Sequence, residues 1–213
     1  MSSKIKMISI LMVLFILYFS LSAFSYAENM VTHIKDSVFR LHVIANSDSP
    51  EDQELKLLVR DTIIAYMHSV CEDLEDKEAV MKIAKANKQT LQEIALSTIQ
   101  ENGYDYTVSI EIGNVYFPTK YYGDVALPSG LYDALQIKIG EASGQNWWCV
   151  LFPPLCFVDV SSGIVPESSK QVLEDTLSDE EYALVNTTQD TSMQFKFKIV
   201  EFFENIKMVA TKK

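Results

Sequence analysis

The sequence predicts an α+β domain, with an antiparallel sheet and helices packed on one of its faces, preceded by a signal peptide. Segments that alternate apolar and polar residues are typical of strands, and segments with apolar residues every three or four positions are typical of helices. Their order is one strand, two helices, several strands and then further helices, which favours the α+β class. With 213 residues, of which 48% are apolar, the chain is long enough for one domain with a substantial core.

The first 27 residues have the layout of an export signal. Lys4 and Lys6 precede an apolar run over residues 7–24, and Ser25-Tyr26-Ala27 then offers the small residues that signal peptidase prefers. We expect cleavage between Ala27 and Glu28. The alternative is an uncleaved anchor, because the run is about as long as the ~20 residues that span a bilayer. The expected organisation is a signal peptide or membrane anchor at residues 1–27 and a single extracytoplasmic domain at residues 28–213.

The chain is strongly acidic. Its formal net charge is −11, and removal of residues 1–27 takes away two lysines and no acids, which leaves 16 basic against 29 acidic residues and a charge of −13. A surface of this sign repels phosphate backbones and anionic lipid headgroups, so nucleic acid is a poor partner. Solubility alone is the alternative explanation of the acidity.

Strict alternation over residues 38–45 predicts the first strand, with Leu41 and Val43 on one side and Arg40 and His42 on the other. A helix start follows at once. Ser49 is suited to the N-cap, Pro50 to the first helical position, and Asp52 lies within reach of the cap. Apolar residues at helical spacing through residue 70 give this helix one core face.

The rest of the chain continues the α+β pattern. A second helix is predicted from about residue 76 to residue 98, with strands near residues 105–112 and 135–139. The apolar run at residues 147–152 predicts a strand buried on both faces, and residues 118–130 predict a loop. Ser178 and Glu181 form a capping box, and Phe195 to Ile206 predicts a last amphipathic helix.

Three cysteines, Cys71, Cys149 and Cys156, are too few for a disulfide framework, although export permits one bridge. Cys149 and Cys156 pair only if Pro153-Pro154 turns the chain back, since a bridge needs α-carbons within about 7 Å. A thiol enzyme is disfavoured because Cys149 lies in an apolar run, where burial makes a thiol inert. No metal site and no cofactor is expected, since the histidines and cysteines lack ligand spacing.

Two long segments resemble the stage II sporulation protein R family. The first reads FRLHVIANSDS at residues 39–49 and continues through Gln53, Lys56 and Arg60, and the second reads NWWCVLFPPLCFVD at residues 146–159. Phe117-Pro118-Thr119-Lys120 and Gly140 lie between them in the expected order. The resemblance covers residues 39–159 and extends weakly towards the C-terminus.

The resemblance implies a signalling protein of endospore formation that is not an enzyme. Members of the family are exported from the forespore into the space between the two septal membranes. There they activate a membrane-embedded aspartic protease of the mother cell, which processes the precursor of sigma-E. The alternative that the residues leave open is an extracytoplasmic cell-envelope or thiol enzyme.

A cluster of polar residues on the first strand and first helix is the predicted partner-binding surface, because basic side chains are scarce in so acidic a chain. These residues are Arg40, His42, Asn46, Asp48, Gln53, Lys56 and Arg60. We expect the short turn between strand and helix to bring them together, so that the two arginines meet acidic or carbonyl groups of the partner. A solvated helix flank with internal pairing, for example Asp52 with Lys56, is the alternative.

Overall fold

The computed structural model describes residues 3–71, 74, 76–157 and 165–186. The elements run in the order α1 (Ser3–Asp36), β1 (Phe39–Ile44), α2 (Pro50–Cys71), α3 (Lys77–Ala86), α4 (Lys88–Glu101), β2 (Val108–Phe117), β3 (Lys120–Tyr122), β4 (Val125–Leu127), β5 (Gly130–Ile139), β6 (Asn146–Phe152), a 3-10 turn (Leu155–Phe157), α5 (Glu167–Thr176) and α6 (Asp179–Val185). The predicted last helix, Phe195 to Ile206, lies outside the described residues.

The main sheet has four strands in the order β2-β5-β1-β6. β1 pairs with β6 and β2 with β5 in antiparallel fashion, but β1 runs parallel to β5. The sheet is therefore mixed, and the prediction of an antiparallel sheet is wrong at this pair. A parallel pair needs a long crossover, and the three helices with β2 between β1 and β5 provide one.

The two faces of the sheet are covered differently. Leu41 and Val43 point to the face against which α2, α3 and α4 pack, which we call the helix face, and both are fully buried. Arg40 and His42 alternate with them and point to the opposite face, which we call the second face. A separate two-stranded hairpin, β3–β4, covers one end of the second face.

Three local predictions differ from the structure. The predicted second helix is broken at Asn87, whose side chain and backbone both bond the Ile83 carbonyl and so end α3 before α4 begins. The predicted loop at residues 118–130 contains the β3–β4 hairpin. The run predicted to be buried on both faces is the edge strand β6, where Trp147, Trp148 and Leu151 stay partly exposed. The capping box of Ser178 and Glu181 is confirmed.

Helix α1 extends from the apolar N-terminus into the domain. Among the described residues it is the single helix long and apolar enough to cross a bilayer, a property shared by signal sequences and anchors. Its apolar part is exposed, whereas Val31 and Ile34 near its end are buried. The helix stops where Lys77 donates to the Asp36 carbonyl at 2.8 Å. Val31 and Ile34 therefore join the end of α1 to the packed domain.

Candidate partner-binding residues

The turn between β1 and α2 is locked to the connection between β5 and β6. The Asn46 carbonyl accepts hydrogen bonds from the backbone and hydroxyl of Ser143, at 3.1 and 2.7 Å. The Asn46 side-chain oxygen accepts from the Glu141 backbone at 3.0 Å, and Asp48 accepts from the Gln145 backbone at 2.7 Å. The side chains of Asn46 and Asp48 are thus occupied within the fold.

Two glycines permit this close approach. A methyl group at Gly140 would overlap the Asn46 side chain, and one at Gly144 would overlap the Ser47 carbonyl and approach Ala45. Only the absence of a side chain lets these two backbones lie so close together. We call this region, residues 45–48 with residues 140–145, the interlock.

Asp52 holds the interlock to the first turn of α2. Its carboxylate accepts from Asn46 at 2.8 Å and from the Ser47 hydroxyl at 2.5 Å, while its backbone donates to the Ser49 hydroxyl at 3.1 Å. Burial alone would raise the pKa of this carboxyl. The hydrogen bonds from Ser47, Asn46 and Tyr106 outweigh burial and hold the pKa of Asp52 below its usual value.

Gln53 and Lys56 complete the interlock on the helix side. Gln53 donates to the Ser47 carbonyl at 2.8 Å and accepts from the Lys56 ammonium at 2.5 Å, which also donates to the Gln145 carbonyl at 3.1 Å. Lys56 is buried. Burial and the neighbouring Arg60 charge lower the pKa of Lys56, and Asp48 opposes this shift.

Arg60 lies further along α2 on the helix face. Its guanidinium is 4.1 Å from the centre of the Trp147 ring and 2.6 Å from the Asp61 carboxylate. The Arg60 charge is therefore satisfied locally, by the Trp147 ring and by the Asp61 carboxylate. The side chain is 13% exposed, so a small part of it reaches solvent.

Arg40 lies on the second face and is fully buried. Its guanidinium carbon is 4.0 Å from the centre of the Phe117 ring and 4.6 Å from that of Tyr132. One terminal nitrogen donates to the Tyr122 hydroxyl at 2.5 Å. Tyr122 belongs to the β3–β4 hairpin, so the hairpin is attached to the sheet through this arginine.

His42 is fixed in its neutral form beside Arg40. Its ring stacks on Trp148 with centroids 3.7 Å apart. Nε2 lies 2.6 Å from the Asn146 side-chain oxygen and Nδ1 lies 2.8 Å from the Gln136 amide nitrogen, which fits a proton on Nε2. Burial lowers the pKa of His42 to about 4, with smaller contributions in the same direction from Lys138 and Arg40.

The structure divides the predicted surface. The expected convergence around the turn holds for Asn46, Asp48, Gln53 and Lys56, which meet in the interlock. Arg40 and His42 do not join them, because they point through the sheet to the second face. The pair Asp52 with Lys56, which the alternative of a solvated helix flank proposed, is replaced by bonds of Asp52 to Asn46 and Ser47 and of Lys56 to Gln53 and Gln145. A role of these residues in partner binding stays a prediction.

Cys149 and Cys156 are joined by a disulfide in the structure, with α-carbons 5.3 Å apart. The chain reverses through Pro153-Pro154 and the 3-10 turn, which places Cys156 beside β6. Cys71 at the end of α2 is a free, half-buried thiol rather than a fully buried one, and burial raises its pKa. A raised pKa leaves less of the reactive thiolate.

The aromatic residues around Arg40 were not predicted to belong to a site. Phe117, Tyr122 and Tyr132 come from the end of β2, from the hairpin and from β5, and they meet only in three dimensions. The three-residue strands of the hairpin are too short to show alternation. The available signal was the tyrosine pair at residues 121–122, within a segment read as a loop.

Comparisons with known proteins place the chain among sporulation proteins. A family model described as stage II sporulation protein R matches residues 35–162. Stage II sporulation protein R of Bacillus subtilis (strain 168) is 34% identical over 192 residues, which cover 84% of this chain and 86% of that protein. No solved structure gives a significant match. The matched residues include Arg40, His42 and the whole interlock.

Proposed function

Because the chain belongs to the stage II sporulation protein R family, it has a role in sporulation, and we propose that it is the exported signal that links the two compartments. In this proposal the forespore secretes it into the space between the septal membranes. There it activates a membrane-embedded aspartic protease of the mother cell, which processes the precursor of sigma-E. Family membership is the observation that carries the proposal.

The N-terminal helix supports the exported location. It is compatible with a signal peptide and secretion, since its window of highest hydropathy averages 2.4 and none of that window is buried. We propose cleavage between Ala27 and Glu28, after which Val31 and Ile34 keep the shortened helix docked on the domain. Intact-mass analysis of the exported protein tests this, and recovery of the full chain in membranes would show an anchor instead.

The cysteines favour binding over thiol catalysis. Cys149 is tied up in a disulfide, and the pKa of the Cys71 thiol is raised. Among the described residues, no group of three or more histidine, cysteine or acidic side chains is placed to hold a metal ion. A signal acts through its surface, so Cys71→Ser should keep full activity. Loss of activity in this variant would favour the alternative of a thiol enzyme.

Reconstitution of precursor processing tests the function. The protease and its sigma-factor precursor are produced in vegetative cells, with and without this chain, and processing is followed by the change in precursor size. We expect processing only when the chain is present and exported. A matched control carries Leu14→Arg and Leu17→Arg, because each arginine within an apolar segment costs roughly 3 kcal/mol of insertion free energy. Processing without the chain, or with the unexported control, would contradict the proposal.

A further inference from the structure

Arg40 is a buried cation without a buried anion. Its guanidinium stays charged in proteins, it is fully buried, and among the described residues no carboxylate pairs with it. Two of its three nitrogens, Nε and Nη1, are buried and have no hydrogen-bond partner among residues 3–71, 74, 76–157 and 165–186. A buried charge of this kind costs folding free energy unless an anion or hydrogen bonds compensate it. The aromatic rings of Phe117 and Tyr132 compensate it only in part.

Two further hydroxyl groups near the hairpin are also able to donate. The hydroxyls of Thr119 and Ser129 are buried without a hydrogen-bond partner in the described part of the chain. They lie at the two ends of the hairpin segment, next to the paired residues Phe117 and Gly130. A guanidinium group can only donate, and a hydroxyl group can donate as well as accept, so an added acceptor would satisfy all of these groups. A carboxylate is the acceptor that an arginine fork binds best.

The β3–β4 hairpin is built as a separate cover over Arg40. Its strands pair with each other and not with the main sheet, so the cover can move without breaking the main ladder. It is held by the Tyr122 hydroxyl on Arg40, by Asp124 with Lys170 at 2.6 Å, and by a bridge between Val125 and Asn186. The apolar side chains of Val125 and Leu127 are also buried, so the hairpin can be displaced only if a partner covers the apolar surface that this exposes. Tyr121 beside the tip is 52% exposed, which gives a partner an apolar surface to contact.

We propose that Arg40 anchors a carboxylate from an acidic side chain of the protein partner, and that the β3–β4 hairpin moves aside to admit it. The carboxylate replaces the Tyr122 hydroxyl on the guanidinium and bonds the nitrogens that now lack partners. The net charge of −11 weakens the binding of free anions, so a partner held by other contacts delivers this group more effectively than a free carboxylate does. The inference rests on the proposed function for the identity of that partner, but carboxylate binding itself is measured without it.

The first test uses acetate as the probe and Trp148 as the reporter. Trp148 stacks on His42, and its ring centroid is 4.6 Å from that of Phe117, so its emission reports on the Arg40 surroundings. The full chain is studied in detergent micelles. It carries Trp147→Phe, so that Trp148 is its single tryptophan. Acetate is titrated against chloride at equal ionic strength. We expect a saturable response to acetate that weakens at least tenfold with Arg40→Met.

The Tyr122→Phe variant tests whether the Tyr122 hydroxyl is a displaceable partner of Arg40 or a fixed structural contact. Because the hydroxyl competes with the carboxylate for Arg40, its removal should tighten acetate binding about threefold or more. A chloride response equal to that of acetate, an unchanged response with Arg40→Met, or weaker binding with Tyr122→Phe would each overturn the inference.

The second test measures activation of precursor processing. Arg40→Met should abolish activation while circular dichroism stays unchanged, and Arg40→Lys, which keeps the charge but lacks the fork, should lose at least half. The matched control Lys138→Met removes a cation from the same sheet face that already has its own carboxylate, Glu111. It should retain activation. Full activation by Arg40→Met overturns the inference and leaves the proposed function standing. Failure of the unaltered chain overturns the proposed function, and the acetate titration then decides the inference by itself.

Discussion

The two faces of strand β1 are equally buried but are built from opposite chemistry. On the helix face, Leu41 packs under helices that follow it in the chain, and apolar contact is enough to exclude water. On the second face, Arg40 is enclosed by rings from β2, β3 and β5 and keeps unpaired donors. Burial on the first face is explained by stability. Burial of the Arg40 charge on the second face costs free energy, and we infer that it serves a function.

The same comparison can be made between the two arginines of the chain, Arg60 on the helix face and Arg40 on the second face. Both stack on an aromatic ring at nearly the same distance, 4.0 Å for Arg40 and 4.1 Å for Arg60. Arg60 also has the Asp61 carboxylate and some exposure, whereas Arg40 is fully buried and has no carboxylate partner among the described residues. The ring alone therefore does not distinguish a structural arginine from a binding one. What distinguishes them is the carboxylate, which pairs with Arg60 and, among the described residues, does not pair with Arg40.

The largest expected effect comes from neighbouring residues on opposite faces. Leu41→Ala should lower the free energy of unfolding by about 2–5 kcal/mol, because it leaves a cavity under the helices. Arg40→Met should leave the unfolding free energy unchanged or raise it by about 1–4 kcal/mol, since an apolar side chain replaces an unpaired buried charge. Urea unfolding of both variants measures the difference. Destabilisation by Arg40→Met as large as that by Leu41→Ala would show that Arg40 holds the fold together.

As the pH falls, the stabilisation contributed by His42 on the second face should be lost before that contributed by Asp52 beside the interlock. The pKa of His42 is lowered to about 4 from 6.5, so the folded protein binds fewer protons than the unfolded chain between these values. The stabilisation is complete above pH 6.5 and is lost as the pH falls towards 4, by at most about 3 kcal/mol. Asp52, whose pKa is also lowered, loses its contribution only below its ordinary value of 3.8.

His42→Phe isolates the histidine effect. Unfolding free energies of this variant and of the unaltered protein are measured from pH 7 to pH 4, and their difference should change only within this range. Parallel curves would mean that the His42 ring has the same pKa in the folded protein as in the unfolded chain.

The sequence predicted the local patterns well and the long-range pairings poorly. Alternation placed Leu41 and Arg40 on opposite sides of a strand, and the order Ser49-Pro50 placed the start of α2. Alternation cannot show which strand lies beside β1 or in which direction, so the parallel pairing with β5 was missed.

The same limit explains the candidate site. Asn46, Asp48, Gln53 and Lys56 are close in sequence, and their convergence was predictable from one turn. Their hydrogen-bond partners at residues 140–145 were not predictable, because these bonds are made by backbone groups about 95 residues away in the sequence. The sequence predicts that these polar residues form a contact surface, and the fold also uses them to join two loops.

Glycine substitutions should distinguish the closed interlock from the open part of the second face. Gly144→Ala should cost about 1–3 kcal/mol, because the methyl group overlaps the Ser47 carbonyl, which no rotamer change relieves. Gly113→Ala on β2 meets nothing within 4 Å and should stabilise by about 0.4–1 kcal/mol through the unfolded chain. Thermal unfolding compares the two, and similar melting temperatures would refute a tight interlock.

The smallest effect is expected at the exposed edge of the second face. Lys138 donates to both carboxylate oxygens of Glu111 at 3.1 Å, with side chains 35% and 62% exposed, so Lys138→Met should change the unfolding free energy by less than about 1 kcal/mol. The Lys138 charge also contributes to the lowered pKa of His42. Its removal should therefore raise the pKa of His42 while burial keeps that pKa below 6.5. A histidine NMR titration measures this shift, and an unchanged pKa of His42 would show that the Lys138 charge does not contribute to it.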